Sequence, residues 1–185
     1  MRLTDRVLAL HPAGVTLLFV ALFVGCGAAV NYYPFGSAAS FFVFSAVMPL
    51  LLGPMLLWFY SLYRAASDRN AQAVGHSGRR AFLFTLVIIG LGAFLILNPL
   101  AFTDSSVPPL LKAGVPWLMV LGNLSYFASV WAAANALTRF DDHAKSADFS
   151  KTLGTFLLAL YLPIGIWVLY PRIKRVLAEP LPAAA

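Results

Sequence analysis

Charge is what this chain is short of. Asp, Glu, Lys and Arg make up 11% of its 185 residues, against roughly a quarter in an average soluble domain. Hydrophobic residues make up 61%, and the mean hydropathy is +0.82. A soluble fold of this length has too much surface for its volume to hide so much apolar area. Lipid as solvent removes that difficulty. The expected class is therefore all-α: a polytopic bundle of transmembrane helices forming one integral membrane domain over residues 1–185.

Cysteine is nearly absent too. Cys26 stands alone, so no intrachain disulfide and no thiolate metal site can form. Catalytic signatures are missing: there is no Gly-rich phosphate loop, no HExxH and no nucleophile elbow on a strand. GHSG at residues 75–78 sits in a polar loop with no strand before it. His11, His76 and His143 lie far apart in sequence. His143 follows Asp141 and Asp142, which reads as a solvated charged turn. No catalytic, cofactor or metal-binding residue is assigned, and the chain reads against an enzyme. No Asp, Glu, Lys or Arg falls mid-span, which argues against a proton-coupled pathway. The net charge of +6 does not point to nucleic acid, because the basic residues sit at the ends of apolar runs instead of forming a patch.

Long apolar runs are what is there. Five predicted spans cover residues 12–33, 38–63, 81–102, 115–137 and 152–170. Each is about long enough to cross a hydrocarbon core of roughly 30 Å. Pro49 and Pro54 in the second, and Pro163 and Gly165 in the fifth, predict bends. Trp58, Tyr60 and Tyr63 are expected at an interface, with Arg64 in water and Pro171 ending the last helix. Residues 176–185 read as a disordered tail. A basic start, an apolar stretch and the tetrad Phe23-Val24-Gly25-Cys26 also fit a cleaved signal over residues 1–25. The apolar run continues past Cys26, which favours a retained span.

Residues 64–80 form the largest polar gap and carry Arg64, Arg69, Arg79 and Arg80 against Asp68 alone. They read as a cytoplasmic loop that anchors topology and can hold anionic headgroups, each contact worth roughly 1 kcal/mol. With the amino terminus inside, Arg2, Arg6, these four arginines, Arg139, Lys145 and Lys151 lie inside. Lys112, Arg172, Lys174 and Arg175 lie outside, nine against four. The bias favours this orientation; the basic tail is the misfit. A re-entrant fifth segment would return the tail to the cytoplasm, but the segment's length predicts five full spans.

In the fourth span Gly122, Ser125, Ser129, Ala132, Ala133 and Ala136 recur three or four apart. Small residues at this spacing let helices approach closely, a main source of association in lipid. They predict a helix-packing face, with Leu118, Leu121, Phe127 and Trp131 turned to lipid or grooves. Ser45, Asn123 and Ser125 are the candidates for a polar pocket. The closing segment PIGIWVLYPRIKR resembles the last span and flank of small bacterial membrane proteins, a resemblance over about thirteen residues that says nothing of function; the expected location is a bacterial inner membrane. The expected function is association as a subunit, scaffold or assembly factor. Its partners would be membrane lipids and a membrane protein or a second copy of the chain. A carrier or channel for a small neutral or apolar solute is the alternative, and a lipid-modifying enzyme the third.

Overall fold

The computed structural model describes residues 3–32, 38–70, 109–143 and 146–180. Among them every regular element is a helix: α1 (Leu3–Leu8), α2 (Pro12–Tyr32), α3 (Ala38–Arg69), α4 (Pro109–Asp141), α5 (Phe149–Leu160) and α6 (Leu162–Ala178). The described residues are all-α, as expected. The span expected at residues 81–102 lies outside the described residues, as do Arg79, Arg80 and residues 181–185 of the tail. Over the described residues no helix is long and apolar enough to cross a membrane. The side chains of Leu22, Cys26, Ala29, Val30, Asn31 and Tyr32 in α2, and several in the other helices, lie outside that description.

α2 opens on Pro12, whose missing N–H costs nothing in a first turn. His11 just before it accepts the Ala13 amide on Nδ1 at 3.2 Å, capping the helix start. α3 runs through Pro49 and Pro54 without interruption and continues six residues past Tyr63. The first residues of the expected polar loop are therefore helical. Ala65 and Ala66 favour helix, and Arg64 lies 3.6 Å from Asp68 one turn on. Packing completes the extension: Leu62, Tyr63, Ala65 and Ala66 are all buried. Trp58 and Tyr63, expected at an interface, are core residues at 3% and 4% exposure.

α3 and α4 make the most extensive helix pair. Phe59 of α3 meets Tyr126 of α4 edge-on, ring centroids 6.4 Å apart. The core continues through Leu62, Val130, Ala133, Leu137 and Phe140, closed by Ile166, Leu169, Ile173 and Val176 of α6.

The expected fifth span is not one helix. Tyr161, at φ −89° and ψ 51°, separates α5 from α6. Pro163 lacks the N–H that would bond back to Ala159, so a straight helix fails there; at the start of α6 the same proline is tolerated. The Tyr161 carbonyl takes over, accepting Ile164 N at 3.0 Å and Gly165 N at 2.8 Å. Beyond this corner α6 doubles back on α5. Arg172 Nη1 donates to Thr155 Oγ1 at 2.8 Å, whereas seventeen residues of straight helix would separate them by about 25 Å. Nor does Pro171 end the helix; it lies inside α6, which runs to Ala178. A proline late in one helix costs less when its neighbours are held by packing, and Leu169, Ile173 and Val176 are fully buried.

Candidate functional site

The doubling back gathers the charged residues at one end of the bundle. Three helices bring their carboxyl ends there (α3, α4 and α6), together with short α1 and the amino end of α5. Among the described residues, the ion pairs Arg69–Asp5, Arg172–Asp141 and Lys151–Asp142 join them.

The first pair is buried. Arg69 on the last turn of α3 holds Asp5 of α1 through both guanidinium nitrogens, Nη2 to Oδ2 at 3.2 Å and Nη1 to Oδ1 at 3.4 Å. The side chains are 8% and 9% exposed. Arg69 Nε also donates to the Glu179 carbonyl at 3.0 Å. One arginine thus ties α1, α3 and the end of α6 together.

The second pair links α4 to the hairpin. Arg172 Nε donates to Asp141 Oδ2 while its Nη1 reaches Thr155. Thr155 Oγ1 in turn donates a hydrogen bond to the Lys151 carbonyl at 2.9 Å, and Thr138 Oγ1 stands 3.4 Å from Thr155 Oγ1. The third pair, Lys151 to Asp142 at 2.7 Å, lies in water. Its hydrogen bond to Asp142 and the charge there push the Lys151 ammonium pKa up, but exposed pairs of this kind contribute little. Asp148 caps α5, its Oδ1 accepting Ser150 N at 2.7 Å and Lys151 N at 3.3 Å.

Between the last turns of α4 and α6 lies an open cleft of about 360 Å³. Phe140, Asp141, His143, Arg175, Ala178, Glu179 and Pro180 line it. His143 adopts φ 47°, the left-handed conformation that ends many helices, and its amide bonds back to the Phe140 carbonyl at 3.2 Å. Asp141 Oδ2 is taken by Arg172, while Oδ1 is buried and accepts no hydrogen bond among the described residues. Comparison of the chain with family models, with curated proteins and with solved structures finds no match. The geometry alone has to speak for the function. No group of three or more metal-ligating side chains occurs among the described residues.

The residues singled out in the sequence fall in different places. Arg64 is exposed and lies beside Asp68, and Arg69 is committed to Asp5 and so is not open to a headgroup. Gly122, Ser125, Ser129, Ala132, Ala133 and Ala136 are all on the buried side of α4, where α3 and α5 pack. Ser129 satisfies its hydroxyl within the helix, donating to the Ser125 carbonyl at 2.8 Å. Asn123 is exposed while Ser125 is buried; two residues are about 200° apart around a helix, so the two do not share a face. The Ser45 side chain lies outside the described residues. Sequence reasoning missed the cleft altogether. Asp141 and His143 looked like one solvated turn, and Arg175 and Glu179 like a tail, because only the α5–α6 corner brings them together.

Proposed function

We propose that this is an integral membrane protein whose charged end faces the cytoplasm, and that it acts by association as a subunit, scaffold or assembly factor. The observation that carries the membrane reading is α2. Its 21 residues include no Asp, Glu, Lys or Arg. A helix apolar all round belongs in a core or in lipid. Yet Leu17, Phe23 and Val24 are 68%, 71% and 62% exposed, since among the described elements α2 packs mainly on α3 and α6. Trp117 on α4 and Ile164 on α6 are exposed to the same degree. Lipid or another protein has to cover them.

The hairpin also removes the misfit in the charge distribution. With α5 and α6 re-entrant, Arg172, Lys174 and Arg175 join the cytoplasmic side, and Lys112 is left as the one basic residue outside of thirteen. That is a much stronger positive-inside bias. α3 and α4 both end at the charged end, and in this reading the sequence between them supplies one further crossing. The apolar run at 81–102 is long enough to do so through lipid. The reading is four crossings and a hairpin, in place of five crossings.

A carboxy-terminal reporter active only in the cytoplasm should therefore be active, as should one at the amino terminus. An active amino-terminal and silent carboxy-terminal fusion would restore five crossings. For association, the small-residue face of α4 is already used within the chain, so a partner would cover the exposed sides of α2 and α4. Purification in mild detergent should yield a complex larger than the 20.0 kDa chain; a monodisperse monomer would overturn association while leaving the membrane reading intact.

A further inference from the structure

The cleft between the ends of α4 and α6 has a charge pattern that selects a class of ligand. Its rim carries one cation and one carboxylate that are uncommitted: among the described residues neither Arg175 nor the Glu179 carboxylate makes an ion pair, although both border the same space. Its wall carries Asp141, which is neutralised by Arg172 through one oxygen and leaves the other without a hydrogen bond. The last turns of α4 and α6 both border the cleft, and the carbonyl ends of helices favour positive charge. Asp141, Arg172, Arg175 and Glu179 sum to zero formal charge. A simple anion would meet the Glu179 carboxylate, and a simple cation would meet Arg175. A group that carries both signs a few ångströms apart satisfies both halves.

We propose that this cleft binds a zwitterionic aminophosphate head, with the phosphate on Arg175 and the ammonium on the Glu179 carboxylate. Arginine suits phosphate because its planar fork offers two parallel donors, and a primary ammonium suits carboxylates and helix-end carbonyls because it has three donors. Two sources present this chemistry: the headgroup of an ethanolamine phospholipid and the free aminoalkyl phosphate. The lipid source rests on the membrane reading above, which would set the charged end at headgroup depth. The cleft itself does not.

The test uses the full chain in detergent and measures the affinity of soluble phosphoethanolamine and of dispersed ethanolamine, choline and glycerol phospholipids. Both ethanolamine probes should bind if the pocket takes the free head, and the lipid alone if it needs the acyl anchor. Arg175→Gln and Glu179→Gln should each weaken the binding at least tenfold. Lys174→Gln, an exposed neighbour lying 4.8 Å from the Tyr170 ring, should leave it within twofold. All three positions are exposed, so folding should survive, and unchanged helical circular dichroism checks this. Equal binding of the anionic glycerol phospholipid, or loss only with Arg175→Gln, would show that positive charge alone attracts phosphate and would overturn the proposal. So would no binding of either ethanolamine probe. If carbonate washing strips the protein from membranes, the membrane reading fails. The soluble phosphoethanolamine arm still decides the cleft.

Discussion

Replacing Asp5 with alanine should destabilise the protein by about 3–5 kcal/mol, the usual cost of leaving one partner of a buried ion pair alone. Asp5 and Arg69 are both more than nine-tenths buried, so solvent cannot take over the role of the lost carboxylate. Arg69 would keep its bonds to the Glu179 and Ala65 carbonyls. Those are neutral acceptors, and they place the expected value towards the lower half of the range. α1 has only six residues and is far too short to be stable alone, so losing the pair should also release the amino terminus. The measurement is reversible unfolding in detergent, followed by helical circular dichroism, together with proteolysis of the first ten residues. Replacing both partners, Asp5→Leu with Arg69→Met, should recover most of the loss, because an apolar pair of similar volume leaves no unpaired charge. An Asp5→Ala protein within about 0.5 kcal/mol of wild type, a typical change for an exposed surface position, would show that the pair is solvated.

Gly165→Ala should be nearly as damaging, for a steric reason. A Cβ on Gly165 would overlap the Leu158 carbonyl oxygen and lie 2.5 Å from its carbon. Both are backbone atoms held in α5, so no side chain can swing away. The corner has to open, which draws Arg172 away from Thr155 and Asp141. Overpacking ordinarily costs about 1–3 kcal/mol; with backbone as the obstacle the upper end is expected. Gly154→Ala is the matched control. It lies on the exposed side of α5 with nothing within 4 Å of the added carbon, and alanine in a helix interior is favoured over glycine by roughly 0.5–1 kcal/mol. It should be neutral or stabilising. If the two alanine variants unfold alike, α6 does not pack on α5 at this corner.

Much of this architecture is written locally. The helical character of residues 12–32 and of most of 109–141 follows from long apolar runs whose glycines and prolines do not cluster into a turn. The burial of Gly122, Ser125, Ser129, Ala132 and Ala136 goes with their spacing on one face of α4. The weak point at Pro163 is also a local property, because a missing N–H removes one bond of the ladder; that α3 runs on through Pro49 and Pro54 shows that packing decides whether the helix breaks. What the chain did after that break was not local. A bend and a full reversal have the same sequence signature, and length alone favoured a straight crossing. The reversal is decided by contacts seventeen and thirty-one residues apart, Arg172 with Thr155 and with Asp141. The same holds for Arg69, which looked like one of four interchangeable loop cations until its partner, sixty-four residues earlier, was in place.

By itself the sequence determined that the protein is helical, that its charges sit at the ends of apolar runs, and that the fifth run has a weak point at Pro163. These are properties of composition, periodicity and one missing hydrogen-bond donor. Only the tertiary structure decided that the fifth run is a hairpin, that one arginine is a buried clasp, and that a mixed-charge cleft forms between two helix ends. Each of those depends on groups distant in sequence meeting at hydrogen-bond range, and no spacing rule along the chain encodes that.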